Sequence, residues 1–199
     1  MRRIAITGGI GSGKSYVCRL LTQQWGIGVY DCDAAAKRLM RTSPKLRQAL
    51  TQLIGQDAYL PGDSGLNKAV VAQFLLESDA NKKAIDDIVH PAVADDFLNS
   101  GMEWLESAIL FESGFNTRIN FDAVVAVTAP EEVRLQRIMQ RDNISEERAR
   151  QWIERQWPQQ EVTRLSDYEI VNDGQQTLLP QIEKIVQHIN TLKSCKRPS

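Results

Sequence analysis

Apolar and polar positions along this chain alternate between two periods. "RRIAIT" is a short apolar run that ends in glycines, and it reads as a strand. In "KSYVCRLLTQQWG", Val17, Leu20, Leu21 and Trp25 recur near helical spacing and Gly26 supplies a stop, which predicts a helix. "IGVYDCD" reads as a second strand, and "AAAKRLMR" begins a second helix. "SAILFE" and "DAVVAVTAP" are continuous apolar runs, the mark of strands buried on both faces. "DYEIVND" reads as the last strand, followed by the helical "LLPQIEKIVQHINTL". Strands that alternate with helices predict a parallel α/β sheet.

Residues 42–102 break that alternation. They contain a polar turn, "LPGDSGLN", and a helical run through "NKKAIDDIVHPAVADDFL", so they read as a helical lobe inserted beside the sheet. No internal repeat or low-complexity segment interrupts the pattern, and "KSCKRPS" closes the chain as a basic tail expected to fray.

Composition narrows the function classes. A chain of 199 residues with 42% hydrophobic residues fits one domain with a sizeable core. A net charge of -1 provides no global attraction for nucleic acid or membrane, so any anion must be held locally. No run approaches the roughly 18 apolar residues that span a bilayer. "MRRIAIT" lacks the apolar stretch of a secretory signal, and a cytoplasmic chain without membrane or nucleic-acid partners is expected. Cys18, Cys32 and Cys195 are too few and too scattered for a disulfide framework or a zinc site, and read as reduced thiols.

The strongest chemical signal is "TGGIGSGKSY". Gly8, four residues, Gly13, Lys14 and Ser15 satisfy G-x-x-x-x-G-K-[ST] in the strand-then-helix context that the motif requires. Glycines allow a tight turn in which successive N–H groups converge on phosphate oxygens, and the helix amino terminus adds partial positive charge. Lys14 can reach the outer phosphates and the Ser15 hydroxyl can ligate magnesium. Such a loop identifies a nucleotide site and not a reaction.

Carboxylates belong to the same sheet edge, because ligands gather at the carboxyl ends of parallel strands. "YDCD" places Asp31 and Asp33 there, on one side if the chain stays extended. One of the pair could orient an acceptor hydroxyl or receive its proton; the alternative, compatible with it, is that Asp33 caps a helix starting at Ala34. Glu112, just past "AILF", is either a holder of a magnesium-bound water or a solvated strand end. In "EEVRLQRIMQRDNISEERARQWIERQW", Arg134, Arg137 and Arg141 share one helix face. Asn143 or Ser145 caps a second helix carrying Arg148, Arg150 and Arg155. An arginine-bearing helical pair suits a lid that neutralises charge on a transferring phosphoryl group and excludes water. Pairing of these arginines with Glu131, Glu146 and Glu147 on a solvated face is the plainer reading for most of them, and Arg141 is the preferred functional one.

In order along the chain, "TGGIGSGKS", "VYDCDAAAKRL", "IVHPAV", "LFES", "RIMQRDNIS" and "SDYEIVNDG" resemble the dephospho-CoA kinases, from Arg3 to about Ile189. The resemblance implies a three-layer P-loop kinase fold of class α/β. A five-stranded parallel sheet forms a core of residues 1–41, 103–141 and 164–199, with a helical CoA-binding lobe at 42–102 and a lid at 142–163. It implies transfer of the ATP γ-phosphoryl group, with Mg2+, to the ribose 3′-hydroxyl of dephospho-CoA. The chain would act as a monomer with at most weak self-association.

By position, Gly11, Ser12, Gly13, Lys14, Ser15 and Tyr16 would cradle ATP, with Arg141 and Asn172 also contacting the nucleotide. Asp33 matches the family's base, and His90 and Glu112 join it on the acceptor side. His188 has no matching role. Tyr16 stands where the family usually has threonine, its ring expected near the nucleotide or the helical lobe, and Ser166 where it commonly has alanine. Another small-molecule P-loop kinase and a nucleotide-gated ATPase share the core. A GTPase is disfavoured, because the closest approach to its base-reading motif, Asn81-Lys82-Lys83-Ala84, lacks the aspartate.

Overall fold

The computed structural model describes residues 1–62 and 65–191. Cys195 and the basic tail lie outside the described residues, as do positions 63 and 64 of the polar turn. The chain forms two compact units, one of Met1–Tyr30 with the chain from Met102 onward, the other Asp31–Gly101.

The first unit is built on a five-stranded, all-parallel sheet with helices on both sides. Its strands are β1 (Ile4–Thr7), β2 (Val29–Asp31, ending at the unit boundary), β3 (Trp104–Glu106), β4 (Ala123–Thr128) and β5 (Tyr168–Val171), in the order β2-β3-β1-β4-β5. The central strands β1 and β4 are buried at every position, as their unbroken apolar sequences require. From β1 the chain places β2 and β3 on one side and β4 on the other, so the sheet's direction of winding switches beside β1. In open α/β sheets that switch, at the carboxyl ends of the strands, is where ligands bind.

Helix α1 (Lys14–Trp25) ends as expected at Gly26, whose left-handed conformation (φ 66°) lets its own N–H return to the Thr22 carbonyl (3.1 Å) and the Ile27 N–H to the Leu21 carbonyl (3.3 Å). The last described helix of this unit, Leu178–Thr191, packs Ile182, Ile185, Val186 and Ile189 into one cluster with Val17 and Leu21 of α1 and with the inward residues of the sheet. Burying one such side chain contributes about 1.5–3 kcal/mol relative to leaving it exposed, so this layer anchors α1 firmly.

The third strand departs from the expectation. "SAILFE" is not a strand: β3 is Trp104–Glu106, immediately upstream of it, and residues 108–114 form turns. The register with β1 accounts for it, since Ile4 donates to the Glu103 carbonyl (2.8 Å) and Ser107 donates to the Ile6 carbonyl (3.0 Å). Beyond Ser107 the backbone bonds turn inward, with Phe115 donating to the Leu110 carbonyl at 3.1 Å. Leu110 is fully buried in that turn, which is why a strand and a packed turn present the same apolar run.

The second unit is helical, made of α2 (Cys32–Thr42), α3 (Pro44–Ile54), a 3-10 turn at Gln56–Ala58, α4 (Lys68–Glu77) and α5 (Asp79–Asn99). Ser43 starts α3 by accepting the Leu46 N–H (3.3 Å), with Pro44 in the first turn. Arg38 of α2 pairs with Asp96 of α5 at 2.5 Å, and the Tyr59 hydroxyl donates to the Met40 carbonyl at 2.8 Å. These contacts bind α2 to the helical unit, which therefore begins at Asp31 where the sequence expectation began it at 42. Among the described residues no helix is long and apolar enough to cross a membrane.

In the first unit, α6 (Phe115–Arg118) precedes β4, and α7 (Glu131–Asp142), α8 (Glu146–Glu154) and α9 (Gln159–Arg164) link β4 to β5. Of the two candidate caps for α8, Ser145 is the cap, accepting the Arg148 N–H at 3.3 Å. Asn143 instead ends α7 in the left-handed conformation, at φ 51°. The terminal helix Leu178–Thr191 is α10.

Candidate active site

The loop after β1 closes with the Ser12 N–H donating to the Gly9 carbonyl at 3.2 Å. It opens into α1 through Gly13, whose φ of 93° favours glycine and which no side chain caps. The helix amino terminus is thereby open to an anion. Lys14 is buried, with its Nζ 3.5 Å from the Gly9 carbonyl. The Ser15 hydroxyl is exposed and donates to Glu106 Oε1 at 3.3 Å.

The other side of the loop is held by α7 and by the residue that follows β5. Arg134 Nε donates to the Ile10 carbonyl at 2.9 Å, and Arg137 Nη1 donates to the carbonyls of Gly11 and Ser12, each at 3.3 Å. Asn172 Nδ2 donates to the Ser12 carbonyl at 2.8 Å, and its Oδ1 accepts from Arg137 Nη2 at 3.3 Å. A peptide group is planar and trans, so its C=O and N–H point in opposite directions. Turning the carbonyls of Ile10, Gly11 and Ser12 toward these anchors turns the N–H groups of Gly11, Ser12 and Gly13 the other way. Arg134 is almost wholly buried, and that burial lowers its pKa against the opposing pull of Glu131.

The expected residues divide accordingly. Gly11, Ser12, Gly13, Lys14 and Ser15 form one loop, and Asn172 holds its carbonyl side. On the arginine face of α7, Arg134 and Arg137 reach the loop, whereas Arg141 is exposed and pairs with its neighbour Asp142 (Nε 3.0 Å, Nη2 2.7 Å). Arg150 pairs with Glu131 and Glu146, as a solvated face does. The Tyr16 ring is half exposed, with the Arg19 guanidinium 5.6 Å from its centre.

In the helical unit Asp31 is the cap of α2, accepting the Ala34 N–H at 2.9 Å. The capping alternative for Asp33 is therefore withdrawn: the helix starts two residues before Ala34, and Asp33 is an exposed member of its first turn. The same early start means that Asp31 and Asp33 are not on one extended strand. His90 is half-buried in α5 before Pro91, its Nε2 3.6 Å from Asp86 Oδ1 one turn earlier. His188 lies at the other end of the chain against Tyr168, whose hydroxyl is 3.3 Å from its Nδ1.

Glu112 is not a strand-end carboxylate. Its Oε1 accepts the backbone N–H of Trp157 at 3.2 Å, and the strand-end acid is Glu106. Glu106 is obscured in the sequence by the longer apolar run that follows it; the apolar pair Trp104-Leu105 followed by an acid is the signal that marks it.

The family model for dephospho-CoA kinase matches residues 2–177. The chain belongs to the dephospho-CoA kinase family. The dephospho-CoA kinase of Porphyromonas gingivalis is 41% identical over 206 residues, covering 100% of this chain and 98% of the relative. That of a Bacteroides fragilis strain is 37% identical over 209 residues, covering 98% of each. A crystal structure from Thermus thermophilus superposes with a TM-score of 0.76 at 29% identity, over 95% of this chain and 96% of that one. Family, P-loop kinase fold and ATP-dependent kinase activity all stand as the resemblance implied.

Proposed function

We propose that this chain catalyses the last step of coenzyme A biosynthesis, transferring the γ-phosphoryl group of ATP to the ribose 3′-hydroxyl of dephospho-CoA. The observation that carries the reading is a phosphate loop with its carbonyls tied back and its helix uncapped, in a chain that matches the family model over residues 2–177. Lys14 neutralises the outer phosphates, and the loop N–H groups hold the triphosphate. Asp33 receives the proton of the acceptor hydroxyl. Arg141 and Asn172 serve the nucleotide, Asn172 also through the loop carbonyl it holds. The helical unit, Asp31–Gly101, with His90, takes the acceptor, and residues 142–163 act as the lid.

Ser15 and Glu106 fit magnesium. They bring a hydroxyl and a carboxylate within 3.3 Å, hard oxygen donors of the kind Mg2+ takes alongside phosphate oxygens and water. Among the described residues no group of three or more His, Cys, Asp or Glu stands together as a metal site. When bound, Mg2+ would offset the negative charge that develops on the transferring phosphoryl group. The chain is proposed to work as a monomer in the cytoplasm.

An acceptor screen with ATP and magnesium tests the reaction. Turnover is expected to rise steeply with dephospho-CoA alone, with a product heavier by one phosphoryl group at the 3′ position. Turnover indifferent to dephospho-CoA and specific for another alcohol would remove the acceptor while leaving the kinase.

A further inference from the structure

Gln156 lies between α8 and α9 and belongs to none of the motifs on which the resemblance rests. Its Oε1 accepts the Ile10 N–H at 2.6 Å, a contact across 146 positions of sequence. The other end of that same peptide is the Gly9 carbonyl, which accepts the Ser12 N–H at 3.2 Å and stands 3.5 Å from Lys14 Nζ. Because the peptide is rigid, holding its N–H from one side holds its C=O on the other.

Ile10 is gripped elsewhere too. Its carbonyl takes Arg134 Nε at 2.9 Å, and its side chain packs against the cluster of Leu135, Ile138 and Ala149 shared by α7 and α8. The segment that carries Gln156 is itself pinned: the Trp157 N–H donates to Glu112 Oε1 at 3.2 Å, and the Trp157 ring stacks on Phe111 at 6.3 Å between centres. The turn after β3 thus holds the α8–α9 junction, and the junction holds the phosphate loop.

We infer that Gln156 is a positioning residue for phosphoryl transfer. It fixes the Gly9–Ile10 peptide, and through the Gly9 carbonyl it fixes the Lys14 ammonium that receives the triphosphate. A peptide freed of this bond rotates, since Gly9 opposes the rotation with no side chain, and Lys14 loses a fixed anchor. This inference rests on the chain being an ATP-dependent kinase and not on the identity of its acceptor.

Amide exchange and nucleotide binding are measured on the full chain without acceptor, and the acceptor KM in a separate turnover assay. Gln156→Leu removes the hydrogen-bonding group at similar size, and Gln156→Glu keeps an oxygen in place. In Gln156→Leu the Ile10 amide is expected to exchange with deuterium faster than in the wild type, and Gln156→Glu to restore its protection. Titration calorimetry with Mg–ATP is expected to show about three- to tenfold weaker binding in Gln156→Leu, the range of one lost neutral hydrogen bond. The acceptor KM should stay at its wild-type value. Should Gln156→Leu fail to fold, Gln156→Asn withdraws the carbonyl by one methylene and serves the same comparison. Nucleotide affinity equal to wild type in the variant, with or without a lower melting temperature, overturns the inference. A wild-type chain that binds Mg–ATP yet does not phosphorylate dephospho-CoA overturns the proposed acceptor and leaves Gln156 in its role.

Discussion

Gly13→Ala probes whether the carbonyl side of the phosphate loop is held by Asn172. At φ 93° an alanine is strained, and its Cβ would fall well inside contact distance of Asn172 Nδ2. Backbone strain of this kind costs about 1–2 kcal/mol. Asn172 is buried and cannot yield without losing its 2.8 Å bond to the Ser12 carbonyl and its 3.3 Å bond from Arg137, which adds about 1–3 kcal/mol. The total of about 2–5 kcal/mol corresponds to a melting temperature lower by roughly 4–20 °C in a chain of this size. The informative measurement is a double-mutant cycle with Asn172→Ala, by urea and thermal denaturation. With the amide gone, Gly13→Ala should cost only the backbone strain, so the two changes should couple by about 1–3 kcal/mol. Additivity within about 0.5 kcal/mol would refute the collision and with it the clamp.

Asp33→Asn is expected to lower turnover by about 10²–10⁴ while leaving nucleotide binding intact, and near-normal turnover would dismiss Asp33 as the base. Glu106→Gln is expected to raise the magnesium concentration needed for half-maximal activity by about 10- to 100-fold. Glu112→Gln should leave that requirement at wild type, and a reversed ranking in a magnesium titration would return the role to Glu112. The Asp173 carboxyl lies below its ordinary pKa of 3.8, chiefly because the backbone N–H groups of Gln176 and Gln175 donate to it. A depressed folded-state pKa means that its contribution is full above pH 3.8 and is lost as acid protonates it below that value. Asp173→Asn should therefore show a smaller loss of melting temperature between pH 5 and about pH 2 than the wild type.

What the sequence made legible is what is local. The phosphate loop occupies consecutive positions between a strand and a helix, and Gly26, Ser145 and the unbroken apolar run of β4 each act within a few residues of where they stand. Glu106 was illegible because the apolar run 108–111 outweighed Trp104-Leu105, and only the pairing of β3 with β1 decides between them. The cap of α2 is open in the sequence for a related reason: Asp31 and Asp33 are equally good caps, and the choice depends on where β2 stops. Arg141 is the last arginine of its face, and reach to the loop belongs to Arg137 and Arg134, one and two turns nearer the start of α7.

The part of the site hardest to read is the part that acts on carbonyls. The loop motif specifies glycines, a lysine and a serine because N–H groups must converge on phosphate, and it is silent about the opposite face of the same peptides. Those peptides still carry C=O groups, and a carbonyl swung toward a triphosphate would repel it. Arg134, Arg137, Asn172 and Gln156 occupy that face from positions 124 to 160 residues away in sequence. Three of the four bring amide or guanidinium donors to carbonyls, and the fourth, Gln156, brings an acceptor to the Ile10 N–H. The anion site is therefore made by two sets of residues, one contiguous and one dispersed, and a variant in the dispersed set should weaken nucleotide binding without touching a phosphate.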